Sequence, residues 1–311
     1  MNHPPRGKAP VKGIIYLIGG IFIFSLQDAI IKHLCGDYPL FEIMFCRSLA
    51  AIIPCLVLIH FDVGLGRLKS RRPLLLIGRG LLFFCCYILY YLGIAALPLA
   101  ENIALFYTGP FFITMLSAAL LRERVGLSRW AALAACFTGV LVMVNPSSGM
   151  ATAAAVLPVL AALTYAFTTL ATRKAAGTES ASVMSLYVMV VFLILAGLQG
   201  IVSRHLDIAL TGPPWIDFLL RPWIMPSLPD LGWMLAQGVI ATAGFYGLSQ
   251  AYRLAEASTV APFEYSGLFP TILWGFLFWN EIPPLPTLCG ILLILASGIY
   301  LLRQEAAAAA A

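Results

Sequence analysis

The sequence predicts an all-α integral membrane protein of ten transmembrane helices, arranged as two inverted five-helix repeats. Three observations predict it. Of the 311 residues, 61% are hydrophobic and only 11% charged, whereas a soluble domain carries roughly 25% charged residues. Apolar runs of membrane-crossing length recur from end to end. Lys and Arg fall almost entirely on every second connection.

A span needs about 20 apolar residues to cross a hydrocarbon core of roughly 30 Å. Ten are read, at 13–34, 40–59, 74–97, 100–121, 128–145, 153–174, 180–202, 231–254, 258–279 and 286–303. The first run is too long for a signal-peptide core and lacks a small-x-small cleavage site, so it is expected to stay attached as span one. A proline turn at Leu97-Pro98-Leu99 divides spans three and four. Pro54, Pro110, Pro158, Pro262 and Pro270 fall within spans, where neighbouring helices can satisfy the freed carbonyls. The longest connection, 203–230, carries Trp215 and Trp223 in a Pro-rich stretch. It reads either as a segment lying on the outer leaflet or as an irregular external loop.

With the N-terminus placed in the cytoplasm, 14 of the 19 Lys and Arg lie on inside segments. Only Lys32, Arg204 and Arg221 lie outside, and Arg47 and Arg79 fall within spans. Positive residues concentrate on the cytoplasmic side. Both termini are therefore expected in the cytoplasm of a bacterial inner membrane or a plasma membrane. The same clustering between apolar runs argues against a nucleic-acid footprint. The seven cysteines are odd in number, form no C-x-x-C and lie within or beside apolar runs. They read as small buried hydrophobes rather than a disulfide framework or a zinc site. No cofactor or metal is called for.

Tyr107-Thr108-Gly109 recurs 158 residues later as Tyr265-Ser266-Gly267, and at the same shift Glu123 falls on Glu281 and Leu127 on Leu285. Each half holds five spans, and two copies of an odd-span unit must thread the membrane in opposite senses. The chain thus divides into a tail at 1–12, a first repeat at 13–148, a second at 149–305 and an alanine run at 306–311. Inverted repeats supply two related conformations, each open to one side, the arrangement of secondary transporters.

The closing stretch carries Ala261-Pro262, Tyr265, Gly275, Glu281, Gly290 and Ser297-Gly298; the first half carries Asp28-x-x-x-Lys32, Phe45-Cys46-Arg47 and Arg79-Gly80. In this ordered set the chain resembles the EamA-type members of the drug/metabolite transporter superfamily over residues 13–305. The resemblance implies a ten-helix carrier with a central cavity lined chiefly by spans 1, 3, 4, 6, 8 and 9. It also implies a substrate drawn from amino acids, S-adenosylmethionine, riboflavin, carboxylates or drugs. Asn280 stands before Glu281 where that pattern more often has glycine, so the resemblance does not specify the geometry of that turn.

An ionisable residue within a bilayer is costly and marks function by default. Asp28 sits roughly 22 Å from the inner face and Arg47 roughly 10 Å from the outer one. In a core of about 30 Å these depths nearly coincide, which predicts an Asp28–Arg47 ion pair, either functional or merely fixing two helices. On span three, Arg79, Phe83, Tyr87, Tyr90 and Tyr91 share one helical face. That face reads as cavity lining, with snorkelling of Arg79 to the cytoplasmic surface as the alternative. Glu264, between Phe263 and Tyr265, is the leading candidate for a substrate- or proton-linked carboxylate; a salt bridge to Arg79 is the competing reading. Tyr107 and Tyr265 join the site through the repeat. Tyr246 and Gln250 join it from a semi-polar stripe on span eight with Thr242 and Ser249. Glu101 and Asn102, at the outer start of span four, are weaker candidates, and Glu123 and Glu281 read as loop partners.

These features favour a secondary carrier of a small polar metabolite working by alternating access. The expected partners are that substrate, the lipid bilayer and a coupling proton. Arg47 and Arg79 suit a carboxylate and the tyrosines an aromatic or cationic group, so an amino acid or related zwitterion is favoured over S-adenosylmethionine or riboflavin. An intramembrane enzyme is the competing class, but no H-E-x-x-H, P-loop or G-x-S-x-G occurs, and His3, His33, His60 and His205 do not cluster. A channel-like subunit would need neither buried charges nor paired repeats.

Overall fold

The computed structural model describes residues 9–121, 126–144, 153–203, 214–282 and, between 284 and 300, all but 287, 291, 294, 295, 298 and 299. All regular structure among the described residues is helical. The long helices are α1 (Ala9–Leu34), α2 (Leu40–Asp62), α3 (Pro73–Ala96), α6 (Leu127–Val144), α7 (Ala153–Ala175), α8 (Ala181–Ser203) and α10 (Leu228–Leu254). Shorter pieces are α4 (Leu99–Phe106), α5 (Gly109–Leu116), α9 (Pro214–Leu220), α11 (Ala257–Val260) and α12 (Leu268–Trp279). Seven segments are long and apolar enough to cross a bilayer, counting Leu99–Leu120 as one.

The distribution of polarity is that of a membrane protein. Ile53, Phe61, Leu74 and Phe269 are more than 70% exposed, whereas Gln27, Arg47, Arg79 and Glu264 are at most 4% exposed. Apolar rims and polar interiors are stable only where the surrounding solvent is hydrocarbon.

Two of the expected spans are not continuous helices. Span four breaks at Tyr107-Thr108 into α4 and α5 and then passes into a π turn, Ser117–Leu121. Span nine begins as α11, continues as a 3₁₀ segment, Ala261–Gly267, and only then becomes α12. The prolines explain where the breaks fall. Pro110, Pro262 and Pro270 lie in the first turn of α5, of the 3₁₀ segment and of α12, where a missing N–H costs nothing. Pro98 likewise stands before α4 and turns the chain after α3, as the sequence indicates. Asn280, the departure from the family pattern, closes α12 in the left-handed region at φ 54°. Asparagine tolerates that geometry better than most residues other than glycine.

Helix pairing is the same when the halves are exchanged. α1 packs on α10 as α3 packs on α7, α2 on α10 as α3 on α8, and α1 on α12 as α4 on α7. α2 pairs with α8, and α4 with α12. Close approach uses glycine at two seams. A Cβ on Gly247 would lie 2.9 Å from the Tyr16 carbonyl, and one on Gly238 2.8 Å from the Arg47 carbonyl, so α10 touches α1 and α2 backbone to backbone.

Of the 203–230 connection, the described residues 214–230 include α9, which packs against α2 and α3. Phe218 is fully buried, and Trp223 packs on Phe45 at a centroid distance of 5.3 Å and against Gly200. The cysteines are not uniformly buried either. Cys55 and Cys86 are, but Cys85 and Cys289 are exposed on the apolar rim, which a small apolar thiol allows.

Candidate functional site

Between the two halves lies a cavity. Its wall comes from α1, α3, α4, α7, α10, the 3₁₀ segment and α12. Both broken spans border it: Tyr107 and Gly267, one from each copy of the Tyr-[Thr/Ser]-Gly motif, line the wall, and Tyr107 meets Tyr265 in a tilted contact at 5.3 Å. Irregular backbone at membrane depth is tolerated where it faces protein or a polar cavity.

Two carboxylates face this space, each held by phenols. Tyr90 donates to Asp28 Oδ2 at 2.9 Å. Tyr165 donates to Glu264 Oε1 at 2.7 Å, and Tyr252 donates to the same oxygen. Neither carboxylate has a Lys, Arg or His within ion-pair distance among the described residues. The remaining wall is aromatic: Phe83 meets Phe245 edge-on at 5.0 Å, Phe106 meets Tyr90 at 4.8 Å, and Tyr87 stacks on Phe245 at 5.6 Å. Gln27 on α1 donates to the Tyr91 hydroxyl at 2.5 Å and more weakly to Tyr87 at 3.4 Å. The site is therefore an aromatic box with two acidic corners.

The sequence-derived residues divide. Asp28, Tyr87, Tyr90, Tyr91, Tyr107 and Glu264 line the cavity. Arg79, Tyr246, Gln250, Tyr265 and Arg47 do not. Arg79 neither snorkels nor pairs with Glu264. It is buried, with Nε bonded to Thr172 Oγ1 at 2.6 Å, Nη1 to the Met184 carbonyl at 3.0 Å and Nη2 to Ser249 Oγ at 2.9 Å. Three neutral acceptors from α7, α8 and α10 thus take one donor from each nitrogen and make it a tie between helices. Tyr265 lies behind Tyr107. Tyr246 accepts from Gln250 at 3.0 Å and borders a separate groove with Tyr16 and Ile53.

The predicted Asp28–Arg47 ion pair is not formed. Asp28 is engaged by Tyr90, whereas the Arg47 guanidinium lies over Tyr87, with Cζ 4.8 Å from the ring centroid. Equal depth in the bilayer fixes one coordinate, and helix rotation turned the two side chains to different neighbours. Asn102, expected near water, is fully buried and donates to the Tyr90 carbonyl at 3.3 Å. Of the two loop acids, Glu281 pairs with Lys32 and accepts from the Leu99 N–H at 3.3 Å; Glu123 lies outside the described residues. Sequence reasoning missed Tyr165, Tyr252 and Gln27. Nothing local marks them, since each gains meaning only from a partner 12 to 99 positions away.

Such a helical bundle, with discontinuous spans around a buried cavity, is an architecture of membrane transporters. The chain belongs to the EamA-like transporter family, which it matches twice, over residues 11–145 and 152–303. It is similar to the pseudopaline exporter CntI of Pseudomonas aeruginosa, at 29% identity over 94% of this chain and 96% of that one. The riboflavin transporter of Rhizobium johnstonii is 30% identical over 98% and 96% of the respective chains. The S-adenosylmethionine uptake transporter of Rickettsia prowazekii is 24% identical over 96% and 95%. A protein of known crystal structure shares the fold with a TM-score of 0.67 at 17% identity, covering 93% of this chain and 95% of that one. The protein is thus an integral membrane transporter, not an enzyme.

Proposed function

We propose that the protein is an alternating-access carrier of two inverted five-helix repeats, 13–148 and 149–305, for a small metabolite with a cationic or amine group on a flat apolar body. The observation that carries this reading is the pairing of Asp28 and Glu264, each without a cation at ion-pair distance among the described residues, with an aromatic wall. A carboxylate in a dry site gains most from a positive partner, and ring faces add cation–π attraction. The exchange symmetry of the helix pairs supports the inverted repeats, as does the double family match. Both termini in the cytoplasm follow from the Lys and Arg bias.

This revises the balance of the sequence reading. Arg79 is spent on helix contacts, so a simple carboxylate finds no counter-charge on the cavity wall. Amino acids and S-adenosylmethionine, which carry positive groups, fit better than a dicarboxylate. Riboflavin has the flat body but lacks the charge. Asp28 and Glu264 are also the groups on which a coupling proton would ride.

Counterflow in proteoliposomes tests the proposal. Unlabelled amino acids or S-adenosylmethionine inside the vesicles should drive uptake of the labelled compound, and Asp28→Asn or Glu264→Gln should abolish it. Folded protein that exchanges no amine-bearing or cationic probe would contradict the reading. So would undiminished exchange by both variants.

A further inference from the structure

Arg47, on α2, is 0% exposed, yet none of its three guanidinium nitrogens reaches a hydrogen-bond acceptor among the described residues. Its charge rests on two aromatic faces, those of Tyr87 at 4.8 Å and Phe192 at 5.4 Å. Ring faces attract a cation but offer no lone pair. A guanidinium stays charged in a protein and presents five N–H donors in a planar fork. Arg79 shows how this chain satisfies a structural arginine, with one acceptor for each nitrogen. Arg47 is as buried, but its donors are left open among the described residues.

Other unpaired polar atoms lie on the same seam. Both side-chain amide atoms of Gln237, on α10, are buried without partners among the described residues. The next residue, Gly238, is where α10 meets the Arg47 carbonyl. The Tyr87 ring touches both Arg47 and the cavity, since Tyr87 lines the cavity and carries the guanidinium over its face. The Tyr87 hydroxyl is held by the long 3.4 Å bond from Gln27.

We infer that Arg47 is a carboxylate subsite annexed to the cavity, reached when the Tyr87 ring turns aside. It completes the guanidinium with a bidentate acceptor, the geometry that a planar fork and a carboxylate share. Resting on the carrier reading above, it narrows the substrate class to zwitterions: the positive end lies at Asp28 and Glu264, the carboxylate at Arg47. The two ends of one molecule then meet opposite charges in separate corners of the site, and a decarboxylated amine loses one of them.

The test compares probes that differ only by that group: L-tyrosine with tyramine, and S-adenosylmethionine with its decarboxylated form. Affinities are measured on the purified full chain in detergent. In the unaltered protein the acid of at least one pair should bind at least about tenfold more tightly than its decarboxylated mate. In Arg47→Gln that ratio should fall to within about twofold of unity, while retained binding of the amine mate reports a folded site. Arg47→Lys should recover part of the ratio. Should Arg47→Gln fail to fold, the ratio in the unaltered protein and its change in Arg47→Lys decide the matter. Equal binding of acid and amine, or a ratio indifferent to Arg47, overturns the subsite and leaves the amine-carrier reading standing. Binding by no member of either pair overturns both. Restoration of the acid preference in the double variant Asp28→Asn/Arg47→Gln would make Arg47 a counter-ion of Asp28 and overturn the subsite.

Discussion

Glu281 ties three elements together at one end of the cavity. Its Oε1 meets Lys32 at the end of α1, and its Oε2 accepts from the N–H of Leu99 at the start of α4. Lys32 also lies over the Trp279 ring at 5.1 Å. Because Lys32 is four residues beyond Asp28, both project from the same face of α1, so this tie stands about 6 Å beyond the cavity. We expect it to hold that end shut. The side chains are 12% and 30% exposed, between the open surface, where such a pair contributes about 0–1 kcal/mol, and the interior, where losing one partner costs about 3–5 kcal/mol. An intermediate loss of about 1–2 kcal/mol shifts the closed-to-open ratio about 5- to 30-fold. Glu281→Gln isolates this contribution, since the amide oxygen still accepts from Leu99.

Cys86 lines the cavity and provides the reporter. In a version retaining only Cys86 of the seven cysteines, a membrane-impermeant maleimide applied from the Lys32 end should label it about 5 to 30 times faster after Glu281→Gln. Lys32→Met should act alike, and the exchange Lys32→Glu with Glu281→Lys should restore slow labelling. Rates within twofold of the parent, or a charge exchange as fast as the single variants, would refute the tie as a closure.

Arg79→Ala strips Thr172, Ser249 and the Met184 carbonyl of a buried donor and should cost about 1–3 kcal/mol, read as loss of monodisperse protein in size-exclusion chromatography. Arg79→Lys should recover only part, because one ammonium cannot replace the guanidinium fork; the folded fraction should bind substrate normally. Gly238→Ala places a methyl 2.7 Å from Ala50 Cβ and 2.8 Å from the Ala51 nitrogen. Forcing α2 from α10 should destabilise the fold by about 1–3 kcal/mol, seen as a lower melting temperature. Tyr165→Phe removes one of two donors to Glu264 and should cost about 1 kcal/mol of stability, while Glu264→Gln removes the charge and should stop exchange of amine-bearing probes. Equal transport by the two variants would contradict a charge-based role for Glu264.

Much of the site could be read early because bilayer physics makes polar residues conspicuous. Asp28 and Glu264 were visible as isolated acids in apolar runs, and Tyr87, Tyr90 and Tyr91 as neighbours on one helical face. What failed were the pairings. Arg47 matched Asp28 in depth but not in direction, and Arg79 matched Glu264 in depth but turned to hydroxyls and a carbonyl. Hydropathy gives the height of a residue along the membrane normal and nothing about rotation around it. The breaks in spans four and nine were signalled by Pro110, Pro262 and Pro270, but a proline can also sit inside a regular helix, as Pro54 and Pro158 do here. Only packing separates the two cases.

The chain's own chemistry dictates that it lives in lipid, roughly where it crosses, and which residues are too costly to lie there idle. Those properties follow from local composition and from the energy of moving each group out of water. Whether Glu264 meets two phenols or an arginine, and whether Arg47 has an acceptor, was decided when helices far apart in sequence settled against one another. A buried polar group is defined by its partners, and partners are a property of the assembled bundle.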